Sequence, residues 1–276
     1  MNLDEIRQRL DRSLAEVHFG TVGPSGFERY DAGSGVLIRL AGQEFVLTAA
    51  HNVFNKDARA PESAITVRVP PRILGIAARL GDGSVARAWH APALPNGDVE
   101  PDVAVLELGQ AVLRSDREPF EEEEIAYLPP DAPSRSVLLA GFPLALQKKD
   151  INRKLEGFGR VLQLDGTPAI ITASTIAGRR GVNEPANGRG VHVLLSIRDA
   201  NGSPRNVPHP LAMSGGPLVV PEGRGLLVGL ARARDDHEDG HDEWCEPAVE
   251  AIRLLVDHPN DGVAAAARRV LDRTRG

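Results

Sequence analysis

Cysteine is almost missing from this chain: Cys245 is the only one in 276 residues. An internal disulfide is therefore impossible, which excludes the stapled scaffold of small secreted domains and makes a reducing, cytoplasmic setting the expectation. No uninterrupted apolar run approaches the ~20 residues of a spanning helix. The opening stretch, MNLDEIRQRLDRSLAEV, carries charges where a secretory signal would have an apolar centre. A basic excess is lacking too. Lys and Arg number 32 against 38 Asp and Glu, for a formal charge of -6, so neither nucleic acid nor an anionic membrane has an electrostatic hold. What is present is an ordinary globular composition, 42% apolar and 25% charged, long enough for one large domain or two small ones. A protein or peptide is the expected partner.

Leu3, Ile6, Leu10, Leu14 and Val17 recur at spacings of three and four, which predicts one apolar stripe on an amino-terminal helix within residues 1–19. From residue 20 to 113 the pattern changes to short β-rich runs, GVLIRL, EFVLTA, AITVRV, ILGIAARL, SVARAWH and DVAVLEL, separated by Gly, Pro, Asn and Asp. Residues 114–134 hold Glu121 to Glu124 in a row and the turn-forming LPPDAP, and read as a solvated linker. Strands resume over 135–245 with SVLLAGF, GRVLQL, AIITAST, VHVLLSI, PLVV and GLLVGLA, and residues 246–276 are helical, broken at Pro259. Two β units are therefore predicted. A faint echo agrees: Gly35 to Gly42 followed by Phe45 to Leu47, and Gly216 to Gly223 followed by Leu226 to Val228, match in their glycine and apolar offsets, each as a hairpin.

Three strings carry the candidate chemistry. In Ala212-Met-Ser-Gly-Gly-Pro217 the two glycines leave the Ser214 hydroxyl open to an incoming group, although a tight turn between strands would look the same. In Phe45-Val-Leu-Thr-Ala-Ala-His51 an apolar strand delivers a histidine to a rigid end, the placement a general base needs. In Pro101-Asp102-Val-Ala-Val-Leu an aspartate heads a buried strand, where a carboxylate needs a partner.

In the order His, Asp, Ser, these strings resemble those of the trypsin-like (chymotrypsin-fold) serine peptidases, over roughly residues 20 to 235; a bacterial-type intracellular member is the nearest description. The resemblance implies an all-β core of two six-stranded antiparallel barrels with amino- and carboxy-terminal helices. It also implies a serine endopeptidase in which Ser214 is nucleophile, His51 general base and Asp102 the group that orients it. The backbone N–H groups of Ala212 and Ser214 would bind the oxyanion, and no cofactor or metal is implied.

The chain departs from the family pattern at several positions. Ala212 stands where glycine is usual, which leaves two readings open: a competent site, or a latent one that a ligand, substrate or activating partner must remodel. Met213 replaces the aspartate that secreted members pair with a newly cut amino terminus, so activation by clipping is not expected. Pro208 falls at the base of the primary specificity pocket and offers no charge to Lys or Arg. Arg234 falls by offset at the pocket wall, where it would receive an acidic side chain. His237, His241 and Cys245 lie among acidic residues and read as part of a solvated loop, and residues 177–190 as a long polar loop. Two other functions share these residues: a peptidase-like binding or scaffold module, and an esterase using the same nucleophile.

Overall fold

Strand residues alternate between two faces, so a strand that is apolar at every position must be covered on both. Several runs of this chain, among them GVLI, FVL, VLLA and PLVV, are of that kind, and the computed structural model shows what covers them. It describes residues 2–23, 26–55, 60–61, 64–69, 76–79, 85–96, 98–109, 117–142, 147–150, 163–166, 168–176, 190–196, 213–237 and 240–275, some by backbone alone. The first unit contains β1 (Leu14–Gly23), β2 (Gly26–Leu40), β3 (Gln43–Thr48), β4 (Phe54–Asn55), β5 (Ala60–Pro61), β6 (Ala64–Val69), β7 (Ile76–Arg79), β8 (Val85–His90), β9 (Ala104–Leu108) and β10 (Phe120–Glu121). Its antiparallel path runs β7-β6-β1-β2-β3-β9-β8, beginning and ending on segments consecutive in the chain; β10 joins β2 in parallel, and β4 pairs with β5 alone.

The second unit contains β11 (Ser136–Gly141), β12 (Gln147–Asp150), β13 (Gln163–Gly166), β14 (Ala169–Thr175), β15 (Val191–Ser196), β16 (Pro217–Val220), β17 (Leu226–His237) and β18 (Gly240–Pro247). Here β11-β14-β15-β18-β17-β16 close into a barrel, with β12 and β13 as a side hairpin. Helix α1 (Leu3–Ser13) precedes the first unit, and α2 (Ala248–Arg253) and α3 (Asp261–Arg273) follow the second. This is the chymotrypsin-like fold that the sequence predicts. The two echoed segments form the β2–β3 and β16–β17 hairpins.

Three apolar layers explain the unbroken runs. Leu37, Val46 and Leu106 point into the core of the first unit, and Leu139, Leu218 and Val220 into that of the second. The intervening residues Val36, Ile38, Phe45, Leu138 and Val219 share a central layer between the units. That layer is closed by Ile6 and Leu10 of α1 and by Ile252 and Val270 of α2 and α3. Each large side chain so buried is worth about 1.5–3 kcal/mol.

Four sequence expectations need correction. The amino-terminal helix stops at Ser13, and β1 takes over within the 1–19 segment: Leu14 faces the central layer, while Ala15, Val17 and Phe19 follow a period of two into the first core. The spacing of three between Leu14 and Val17 fits one face of a helix but opposite faces of a strand; both faces of β1 are covered, so both residues are buried once β1 pairs with β2 and β6. The linker is not merely solvated, since Glu121, Glu122 and Glu124 each meet an arginine of another element: Arg39 at 2.6 Å, Arg269 through two bonds of 2.7 and 2.8 Å, and Arg9. The acidic stretch around His237 and His241 is a long β17–β18 hairpin in which Cys245 is buried, because backbone pairing with β15 outweighs its polar composition. Finally, α2 and α3, expected on the second barrel, also complete the central layer against the first: the His258 ring after α2 meets Phe45 edge-on at 5.7 Å.

The segment 177–189 of the predicted polar loop lies outside the described residues. Among the described residues no helix is long and apolar enough to cross a membrane.

Helix α1 is held by more than its apolar face. Arg9, 1% exposed, pairs with Glu124, donates to the carbonyls of Arg224 (2.8 Å) and Pro119 (3.1 Å), and lies 4.4 Å over the Phe120 ring. It thus ties the helix to the linker and to the second unit at once. Arg9→Met keeps the stem but removes the donor to two carbonyls and leaves Glu124 with the Glu121 N–H (2.8 Å) and the Arg224 guanidinium (3.5 Å); it is expected to cost about 2 kcal/mol, read as a lower urea midpoint with an unchanged denaturant slope.

Candidate active site

The site lies where the two units meet. Strand β3 ends at Thr48, and a single 3-10 turn, Ala50–Asn52, carries His51 outward from the strand end. Its side chain is 46% exposed, whereas that of Asp102, two residues before β9, is 12% exposed. Asp102 grips His51 twice: Oδ1 accepts the His51 backbone N–H at 3.0 Å, and Oδ2 stands 2.8 Å from ring Nδ1. A carboxylate there favours a proton on Nδ1 and leaves Nε2 to accept one. Burial pushes the Asp102 carboxyl up, but the His51 ring and backbone N–H, aided by the Arg232 guanidinium, outweigh it and hold the group below its ordinary range.

Ser214 comes from the second unit, in the turn before β16. Its carbonyl is taken by the first unit through Ser34 N–H at 2.8 Å and Asn52 Nδ2 at 3.0 Å. Asn52 also donates to Thr48 Oγ1 (2.9 Å), which donates to the Ser34 carbonyl (2.7 Å), while Phe142 N–H donates to Ser34 Oγ (2.8 Å). The residue after His51 therefore fixes the main chain of Ser214. Gly215 makes this approach possible: its φ is +85°, and a Cβ there would lie 2.2 Å from the Ser34 carbonyl oxygen.

The Ser214 loop is braced on its other side as well. Gly215 N–H donates to Ala231 O at 2.7 Å, Ala231 N–H to Gly216 O at 2.8 Å, and Gly216 N–H to Met213 O at 2.8 Å. Among the described residues the Ser214 N–H has no acceptor. The Ser214 hydroxyl donates to the Arg232 carbonyl at 3.4 Å, a long bond that holds it weakly. Met213 is wholly buried in the second core, an apolar position that offers a free ammonium no counter-charge.

The structure thus brings His51 and Asp102 into contact and ties the main chain of Ser214 to the same corner. Ala212 and Pro208 lie outside the described residues. Arg234 is on β17 opposite Glu243 of β18, and its side chain lies outside the described residues. Sequence reading missed Ser34, Thr48, Asn52 and Arg232. Ser34 stands between two glycines and Asn52 directly follows His51, the only local signals of their role.

No protein-family model matches this sequence, and no curated protein matches it. Solved structures do match in fold. A thermostable serine protease, AL20, from an extremophilic microorganism superposes with a TM-score of 0.53 at 13% identity, covering 94% of this chain and 98% of that one. Human heparin binding protein gives 0.53 at 16% identity, covering 91% and 94%. The MamO protease domain of Magnetospirillum magneticum, in its apo form, gives 0.50 at 15% identity, covering 91% and 100%. Two of these three structural neighbours are named as proteases and one as a binding protein, all at low identity. Such likeness establishes the fold alone.

A carboxyl held below its ordinary value stabilises the fold above the unfolded value of about 3.9, and loses that contribution as pH falls through the folded value. Urea titrations of wild type and Asp102→Asn at stepped pH are expected to give a stability gap that is open at neutrality and closes below about pH 4. A gap unchanged in acid would contradict the assigned pairing.

Proposed function

We propose that the chain is a serine endopeptidase acting on protein or peptide substrates, with Ser214, His51 and Asp102 in the roles their strings suggest. The observation that carries this reading is the His51–Asp102 contact, with Nδ1 2.8 Å from Oδ2, at the corner where Asn52 holds the Ser214 carbonyl. The reaction is the general serine-peptidase scheme. As Ser214 Oγ bonds to the scissile carbonyl carbon, His51 Nε2 takes the hydroxyl proton, and Asp102 balances the imidazolium. His51 then protonates the leaving amine as the C–N bond breaks. Water then attacks the acyl ester as His51 takes its proton, and His51 returns that proton to Ser214 Oγ as the acyl C–O bond breaks. The Ser214 N–H, without an acceptor among the described residues, supports an oxyanion role for it, and the Ala212 N–H is proposed as the second donor.

An extended peptide suits the surroundings. Beyond Ala231, β17 pairs with β18 on one edge, and its other edge has no partner strand among the described residues. That edge begins beside Ser214, so a substrate strand added to it would cross the nucleophile. We take the resting site as competent, since the braced Gly215 and Gly216 backbone needs no further partner to hold Ser214. Pro208 argues against cleavage after Lys or Arg, and Arg234 is proposed to favour an acidic side chain. The single buried cysteine supports action in a reducing compartment such as the cytoplasm.

The same fold in human heparin binding protein, a protein named for binding, makes the scaffold reading worth testing. A fluorophosphonate probe is expected to label Ser214 of the purified chain, and Ser214→Ala to abolish labelling and lower peptide hydrolysis by about 10⁴-fold or more. A binding function that survives Ser214→Ala, with no labelling of the wild type, would overturn the proposal. An esterase would label but leave a denatured protein substrate uncut. In a peptide library, cleavage is expected to spare bonds after Lys and Arg; preferred cleavage there would exclude the Pro208 reading.

A further inference from the structure

A charged cluster lies directly behind Asp102, built by residues far apart in sequence. Arg232 occupies the irregularity in the β17–β18 ladder: Ala231 pairs with Cys245 and Ala233 with Trp244, which leaves Arg232 as the extra residue of a bulge. A bulge re-aims the side chain it carries. This one sends the guanidinium across to the first unit, where Nη1 donates to Glu100 Oε2 at 3.1 Å and Nη2 to Glu100 Oε1. Nη1 also meets Oε1 of Glu246, on β18, at 2.7 Å. The same Glu246 Oε1 accepts the backbone N–H of Asp102 at 3.2 Å. Glu246 is wholly buried, and its Oε2 has no partner among the described residues. The main chain of Arg232, meanwhile, accepts the Ser214 hydroxyl.

We propose that Arg232 is a positioning residue that braces Asp102 through Glu246 and Glu100 and, by offsetting their charge, sets the pH at which His51 takes up a proton. This rests on the reading of His51 as general base. Three carboxyls, Glu100, Asp102 and Glu246, lie on this side of His51 and share one guanidinium. Uncompensated, they would stabilise the imidazolium and keep His51 protonated to higher pH, where it cannot accept the Ser214 proton. Burial pushes the Glu246 carboxyl up and the guanidinium pulls it down, so Arg232 also decides how much of that charge is present.

The test is an NMR titration of the His51 ring in full-length, histidine-labelled protein. Because Glu246 could take up a proton in place of His51, Arg232 is varied where Glu246 is already neutral. Relative to Glu246→Gln alone, Arg232→Met with Glu246→Gln is expected to raise the His51 midpoint by roughly one pH unit. Arg232→Lys with Glu246→Gln restores the charge and should return it most of the way. Glu100→Gln alone, at a part-exposed position that tolerates an isosteric change, should lower the midpoint, and it decides the matter if the Arg232→Met form fails to fold. A His51 midpoint unmoved by Arg232→Met and Glu100→Gln would overturn the proposal, as would equal shifts with Arg232→Lys and Arg232→Met. In parallel, the fluorophosphonate labelling rate on the acid side of the midpoint should fall about tenfold for a one-unit rise. Loss of labelling in the wild type with the titration pattern intact would count against the peptidase reading only.

Discussion

The central apolar layer is the constraint on which the rest of this structure depends. Val36, Ile38 and Phe45 of one unit meet Leu138 and Val219 of the other, and Leu10, Ile252 and Val270 seal the layer from its rim. Because the packed strands are buried on both faces, a slip of one residue in register would move apolar side chains between cores of different shape. The relative placement of the two units is thereby fixed by volume. The site needs that fixity, since His51 and Asp102 come from one unit and Ser214 from the other.

Across the same seam the polar contacts are short and specific. Ser34 N–H and Asn52 Nδ2 both end on the Ser214 carbonyl, and the Asn52 amide is itself oriented by Thr48 Oγ1. These bonds add little net stability individually, on the order of 1 kcal/mol, but they orient the backbone that bears the hydroxyl. Arg232 repeats the pattern behind Asp102, joining Glu100 of the first unit to Glu246 of the second. Apolar packing brings the units together, and buried hydrogen bonds choose among the arrangements that packing allows.

The terminal helices belong to the same system. Arg9 connects α1 to the linker and to the Arg224 carbonyl, while Arg269 of α3 chelates Glu122, whose carboxyl is held below its ordinary range chiefly by those hydrogen bonds. A four-glutamate run that looks like a solvated spacer is the place where both ends of the chain are fastened. Its composition concealed this because the arginines lie as far as 115 residues upstream and 147 residues downstream.

Taken alone, the amino-acid order determined the two β units, most of their strands and the three strings around His51, Asp102 and Ser214. These are local signals, carried by apolar runs, turn residues and immediate neighbours. Tertiary structure decided what local order leaves degenerate. Leu14 and Val17 continue the helical spacing of α1, yet a strand covered on both faces buries them equally well, and pairing of β1 with β2 and β6 selects the strand; the polar β18 became a strand only by pairing with β15 and β17. The bracing of Asp102 was invisible for the same reason: Glu100, Arg232 and Glu246 meet through a bulge and a unit boundary. With Glu100 132 residues before Arg232, and Glu246 on the neighbouring strand 14 residues after it, the three carry no mark in sequence of the one space they share.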